Sequence, residues 1–101
     1  MNTIRKSIFS IGLNDQHEKR QIISDGRAYE IITDAILHYY PDGATMYDAR
    51  GVYRGQIEKT IRVEILFSNE TRDALLIEEL KKALNQECIA IETTDAAAAL
   101  M

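Results

Sequence analysis

The chain has 101 residues, enough for one domain with a two-layer core and little room for a large internal cavity. Its 12 basic and 16 acidic residues are interspersed and give a net charge of -4. No positive stripe is available to follow a phosphate backbone, so we expect no direct binding to nucleic acid. The small size favours a binding module over an enzyme.

Cysteine content and hydropathy indicate the cellular compartment of the protein. Cys88 cannot form an internal disulfide and lies in an apolar run, which favours a buried thiol in a reducing compartment. The first residues lack the apolar run of a signal peptide, and no segment is long and apolar enough to span a membrane. We therefore expect a cytoplasmic protein that does not bind membranes.

The first predicted element is a strand. Phe9, Ile11 and Leu13 alternate with Ser10 and Gly12, which is the period of a half-buried strand. The polar residues 14–21 follow and indicate a loop.

The next element is a helix. Ser24 or Asp25 supplies the N-cap oxygen. Apolar residues then recur at three- and four-residue spacing, at Ala28, Ile31, Ile32, Ala35, Ile36 and Tyr39. The helix must end by Tyr40, because Pro41 disfavours helical geometry in the residue before it.

Residues 45–52 and 56–67 predict two strands of a hairpin, with a turn around Tyr53, Arg54 and Gly55. Apolar and polar residues alternate along the second strand, so one face of this strand should be buried and the other exposed to water. The apolar set is Ile57, Ile61, Val63, Ile65 and Phe67, and the polar set is Glu58, Thr60, Arg62 and Glu64.

Ser68 or Asn69 caps a second helix, and residues 88–93 predict a fourth strand. The inner stripe of this helix is Leu76, Ile77, Leu80, Ala83 and Leu84. The alanine-rich tail, 94–101, predicts a short helical extension or a frayed end. The order β-α-β-β-α-β predicts a single α+β domain, 1–101, with a ferredoxin-like antiparallel sheet and both helices on one face. The open sheet face suits a homodimer.

Several motifs along the chain resemble an uncharacterised family of small bacterial domains of unknown function. They are Phe9-Ser10-Ile11-Gly12-Leu13, Pro41-Asp42-Gly43 with Thr45, Asp48-Ala49-Arg50-Gly51 with Tyr53-Arg54, Ile57-Glu58-Lys59-Thr60, Ile65-Leu66 and Asn85-Gln86-Glu87. The family has a Pro-Asp-Gly-x-Thr turn and an Asp-Ala-Arg-Gly-x-aromatic-Arg hairpin. The chain is similar to its shorter, cytosolic versions from Gram-positive bacteria and their mobile elements. The resemblance supports the fold and marks the hairpin, and it implies no activity.

The hairpin carries the first candidate binding site, made of Tyr47, Arg50, Tyr53 and Arg54. Arg50 and Arg54 suit a small anion or a carboxylate, with Tyr47 or Tyr53 as a stacking wall. Asp48 and Arg50 lie two apart on a strand and so face the same side, where they can form a charge-assisted pair.

Two other interpretations of the charged residues stay open. Asp48 and Glu58 also fit a cross-strand ion-pair ladder that fixes the hairpin register. The second candidate surface is the acidic face of the second helix, with Glu70, Asp73, Glu78 and Glu79.

No enzyme template fits the sequence. Ser24 and His38 lie about four helical turns apart, too far for a hydrolytic triad. His17, His38 and one cysteine lack metal-ligand spacing, and no Gly-rich phosphate loop is present. We therefore expect no catalytic residues, no metal and no cofactor.

Two functions follow as hypotheses. The first is a non-catalytic counter-defence inhibitor of the anti-CRISPR type, which docks through the hairpin or the acidic helices on a protein partner, a bacterial nuclease or effector. The alternative is a dimeric sensor or sequestering protein for a nucleotide or metabolite, bound between Arg50 and Arg54 hairpins.

Overall fold

The computed structural model describes residues 2–101. The elements are β1 (Asn2–Gly12), α1 (Asp25–Tyr39), β2 (Thr45–Tyr53), β3 (Gln56–Leu66), α2 (Glu70–Ala83) and β4 (Ala90–Ala98). The strands form one sheet in the order β2-β3-β1-β4, and each neighbouring pair is antiparallel. This topology confirms the predicted ferredoxin-like α+β fold.

The core lies between the sheet and the two helices, and the predicted alternation of the central strands is confirmed. The buried strand residues are Phe9, Ile11, Leu13, Ile61, Val63 and Ile65, and the buried helix residues include Ala28, Ile32, Ala35, Ile36, Leu76 and Leu80. Ile57 and Phe67 are exposed, although the alternation assigned both to the buried face. Phe67 follows β3 with a φ of 57°, which breaks the alternation.

Both helices begin at side-chain caps. Ser24 Oγ accepts a hydrogen bond of 3.1 Å from the Arg27 amide, and Asn69 Oδ1 accepts one of 3.0 Å from the Arg72 amide. These contacts satisfy amide groups that have no partner within the helix. In α2, Ala83 is exposed although the predicted inner stripe includes it, whereas Leu84, the next residue of that stripe, is buried.

Asp73 is a buried polar residue within α2, with 2 % of its surface exposed. Its carboxylate accepts hydrogen bonds of 2.6 Å from Arg5 Nη1 and from Ser7 Oγ, and another from the Tyr40 hydroxyl. Burial, followed by the hydrogen bond to Asp73, raises the pKa of Tyr40 to about 12. Asp73 therefore joins β1, α1 and α2, and its assignment to an acidic surface is wrong.

The C-terminal segment is a strand where a helical extension was expected. β4 continues to Ala98 and pairs with the start of β1, with Thr3 opposite Ala97. The ladder hydrogen bonds offered by β1 override the helix propensity of alanine, which is small per residue. Across residues 2–101, no helix is both long enough and apolar enough to cross a membrane.

Candidate functional site

The sheet face away from the helices carries an open cavity of about 480 Å³, which we call the trough. Residues of β1, β2 and β3 line it, together with the loop after β1 and the loop before β4. Small residues form its floor, namely Gly12, Ala49, Gly51, Thr60 and Ala90. Ligand sites of small molecules commonly have volumes of about 300 to 1,000 Å³. The trough is therefore large enough for a nucleoside-sized ligand.

Glu58 projects from β3 into the trough. A Cβ atom at residue 12 would lie 2.6 Å from Glu58 Oε2 and closer still to Oε1. The carboxylate thus occupies the space that a side chain at Gly12 would fill, and its Oε2 accepts a 3.0 Å hydrogen bond from the Asn14 amide. Glycine in a strand often marks such a close approach.

Gly51 opens the floor in the same way, because a Cβ atom there would lie 2.5 Å from Thr60 Oγ1. Gly12 and Gly51, on different strands, therefore leave the space that the side chains of Glu58 and Thr60 occupy.

Arg62 lies further along β3 on the same face. Its Nη1 donates to Ser10 Oγ at 2.8 Å, its Nη2 to Glu92 Oε1 at 3.0 Å and its Nε to the Tyr47 hydroxyl at 3.4 Å. Hydrogen bonds to Tyr47 and Glu92 raise the pKa of Arg62. The guanidinium is held in place beside the trough by side chains from the other three strands.

The hairpin end of the trough is made of Tyr53, Arg54, Glu87 and Cys88. The Tyr53 hydroxyl lies 3.0 Å from Glu87 Oε2 and 3.4 Å from Cys88 Sγ, and these contacts raise the pKa of Tyr53 to about 12. Arg54 Nη2 lies 3.1 Å from Glu87 Oε1. Cys88 is exposed, so the prediction of a buried thiol is wrong. It precedes β4 in a loop, outside the alternation that buries strand residues.

The structure brings part of the predicted hairpin site together. Tyr53 and Arg54 line the trough, and Tyr47 lies beside it against Arg62. Arg50 borders the trough, but it pairs in register with Lys59, whose side chain faces α1, so the Arg50 side chain lies on the opposite face of the sheet. Whether these four residues bind a ligand stays a prediction.

The predicted pair of Asp48 and Arg50 does not form. Asp48 accepts a hydrogen bond from the Tyr29 hydroxyl, and its Oδ2 lies 3.8 Å from Lys59 Nζ. Both contacts are on the helix side of the sheet, where α1 offers a partner that the strand sequence does not reveal.

The second candidate surface does not form one acidic face. Asp73 is buried, Glu78 lies 3.6 Å from Lys81, and Glu79 accepts a 3.5 Å hydrogen bond from the Tyr39 hydroxyl. Among residues 2–101, no group of three His, Cys, Asp or Glu side chains lies close enough together to hold a metal ion.

Sequence analysis missed two parts of the trough. Glu58 was predicted to lie on the exposed strand face or in an ion-pair ladder, and Arg62 only on the exposed strand face, and neither was predicted to belong to a binding site. The available signal was the position of Gly12, a glycine inside a strand whose neighbours on that face are polar.

No protein-family model and no curated protein matches the chain. Solved structures do share its fold. A phage SAM lyase in complex with S-methyl-5'-thioadenosine is 18% identical, with 90% of this chain and 80% of that chain covered at a TM-score of 0.66. A phage SAM lyase in its apo state is 19% identical, with 92% and 81% covered at a TM-score of 0.63. At these identities the likeness shows the fold.

These structures contradict two expectations, that the chain is not an enzyme and that it is a non-catalytic inhibitor of the anti-CRISPR type or a small-ligand sensor. A domain of this fold, matched over 90% of the chain, is a lyase. A small chain is a poor enzyme only if catalysis needs an internal cavity. An open sheet face can carry the cavity instead, as the trough shows.

Proposed function

We propose that the chain is a lyase that cleaves S-adenosylmethionine in the trough. The observation that carries this proposal is the carboxylate of Glu58, which lies in the trough over Gly12. The substrate is a sulfonium cation, and a carboxylate in a partly desolvated cleft attracts a cation more strongly than one in bulk water. The shared fold with a phage SAM lyase supports the same assignment.

The rest of the trough suits the nucleoside portion of this substrate. The ring of Tyr53 supplies aromatic surface at the hairpin end, where a purine can stack. The floor of small residues between Tyr53 and Arg62 leaves space for the ribose and the sulfonium.

The reaction needs no atom from outside the substrate. A carboxylate oxygen of the methionine portion attacks its own γ carbon, so that a C–O bond forms while the C–S bond breaks. The electron pair of the C–S bond goes to sulfur, which loses its positive charge. The products are S-methyl-5'-thioadenosine and homoserine lactone, and no proton is transferred. The trough contributes by holding the reacting atoms close together and Glu58 by orienting the cation.

The test is incubation of the protein with S-adenosylmethionine and detection of both products by mass spectrometry. We expect both from the wild type and about 100-fold lower kcat/KM for Glu58→Gln, because this variant loses the charge that binds the sulfonium. Glu30→Gln, the same change on the exposed face of α1, is the matched control and should leave the rate unchanged.

The identities of the products test both the proposed function and the proposed reaction. If the wild type forms no S-methyl-5'-thioadenosine, the proposed function is wrong. If vinylglycine forms in place of the lactone, the reaction is an elimination in which Glu58 removes the β proton, and not an internal displacement.

A further inference from the structure

Arg62 and Glu58 place opposite charges at two points along the trough. We infer that Arg62 binds the α-carboxylate of the substrate and so makes the trough specific for adenosyl compounds that retain the amino-acid portion. This inference rests on the proposed function and names the part of the substrate that each charge recognises.

The spacing of the two charges follows from β1. The Glu58 carboxylate lies over Gly12, and Arg62 Nη1 lies 2.8 Å from Ser10 Oγ. Ser10 and Gly12 are two residues apart on one face of a strand, which puts them about 7 Å apart. In S-adenosylmethionine, three carbon atoms separate the sulfonium from the carboxylate. A substrate with its sulfonium at Glu58 therefore brings its carboxylate to Arg62.

The guanidinium of Arg62 is also pre-organised to bind a carboxylate. It carries five N–H groups, and its hydrogen bonds to Ser10, Glu92 and Tyr47 account for three of them. One N–H group remains on Nη1 and one on Nη2, and a carboxylate oxygen can accept a charge-assisted hydrogen bond from either while the other oxygen stays free to react. Because three side chains fix the group, little conformational entropy is lost on binding.

The other basic residues of the trough are less suited to this role. Arg54 is paired with Glu87 and its side chain is 66% exposed, whereas that of Arg62 is 29% exposed. Lys19 and Arg50 are exposed residues of a loop and an edge strand. Exposed charges contribute little to binding because water screens them.

The test compares two probes that are not cleaved. S-adenosylhomocysteine retains the amino-acid carboxylate, and S-methyl-5'-thioadenosine lacks it. By calorimetry, we expect Arg62→Gln to weaken binding of S-adenosylhomocysteine by about tenfold or more, as for the loss of hydrogen bonds to a charged group. Binding of S-methyl-5'-thioadenosine should change by less than about twofold, because that ligand does not reach Arg62.

The matched control is Arg27→Gln, the same change on the exposed face of α1, where Arg27 pairs with Glu30. This variant should retain the wild-type preference between the two probes. If Arg62→Gln does not fold, Arg62→Lys is the second variant, because it keeps the charge and loses the planar guanidinium. It should also weaken binding of S-adenosylhomocysteine and not of S-methyl-5'-thioadenosine, by a smaller factor than Arg62→Gln.

An Arg62 variant that binds both probes as the wild type does, or that loses both equally, would overturn the inference. In either case, continued cleavage of S-adenosylmethionine by the wild type would leave the proposed function standing. If the wild type neither binds these probes nor forms S-methyl-5'-thioadenosine, both proposals are wrong.

Discussion

The carboxylate of Glu58 lies where a side chain at residue 12 would have to lie, since a Cβ atom on Gly12 would be 2.6 Å from Glu58 Oε2. The two residues belong to neighbouring strands, and one has no side chain so that the other can cross over it. This relationship makes Gly12 a positioning residue for the carboxylate.

Gly12→Ala should therefore lower the activity strongly without unfolding the domain. The atoms that the new methyl group meets are the end of a flexible side chain, so Glu58 can move away at a cost of about 1 kcal/mol or less in unfolding free energy. We expect kcat/KM for the formation of S-methyl-5'-thioadenosine to fall about 100-fold, as for Glu58→Gln.

The matched control for that variant is Gly26→Ala, because a Cβ atom at Gly26 meets nothing within 4 Å. Its rate and melting temperature should stay close to those of the wild type. Full activity of Gly12→Ala would show that the position of the Glu58 carboxylate does not matter for the reaction.

Ile32→Asp and Leu80→Asp should each unfold the domain. Both residues are fully buried between the helices and the sheet, and an unpaired carboxylate there costs several kcal/mol against a total stability of about 5 to 15 kcal/mol. Circular dichroism and thermal melting provide the measurement. Leu37→Asp, on the exposed side of α1, is the control and should melt close to the wild type. A cooperative, wild-type melting curve for both core variants would contradict the packing described.

Stability should fall with increasing pH because of Tyr40. The pKa of this tyrosine is raised from about 10 in the unfolded chain to about 12 in the folded protein. The folded state holds the proton more tightly, so the stabilisation is fully present below pH 10 and is lost as the pH rises to 12. Two pKa units correspond to roughly 2 to 3 kcal/mol.

Urea denaturation of the wild type and of Tyr40→Phe at a series of pH values checks this expectation. Tyr39 and Tyr53 also have raised pKa values, so only the difference between the two proteins reports on Tyr40. The unfolding free energies of the two should converge as the pH rises above 10. A constant difference would show that the Tyr40 hydroxyl does not titrate in this window.

The double variant Tyr53→Ala, Arg54→Glu should weaken ligand binding and leave the fold intact. Both residues lie at the hairpin end of the trough, and their contacts, to each other, to Glu87 and to Cys88, lie outside the core. We expect the affinity for S-methyl-5'-thioadenosine to fall by about 2 kcal/mol or more, since truncation of a Tyr or Arg at the centre of a contact often has this effect. Ile57→Ala, an exposed change on the same hairpin, should leave the affinity unchanged. Retained binding by the double variant would place the nucleoside elsewhere on the protein.

Local patterns in the sequence determined the order and type of the elements, apart from the C-terminal part of β4. The alternation of Phe9 and Ile11 in β1 and of Ile61 and Val63 in β3 predicted which sheet face is buried, because side chains on a strand alternate between its two faces. Pro41 predicted where α1 ends. These effects act within a few residues and need no knowledge of the partner elements.

Only the tertiary structure determines which side chains meet in the trough. Glu58 meets Gly12 because the strand order puts β3 beside β1, and Arg62 is fixed by Glu92 because β4 lies on the far side of β1. Asp73 is buried because Arg5 comes from β1 to pair with it. Such contacts join residues far apart in the chain, and their energies depend on distances that a local pattern does not contain.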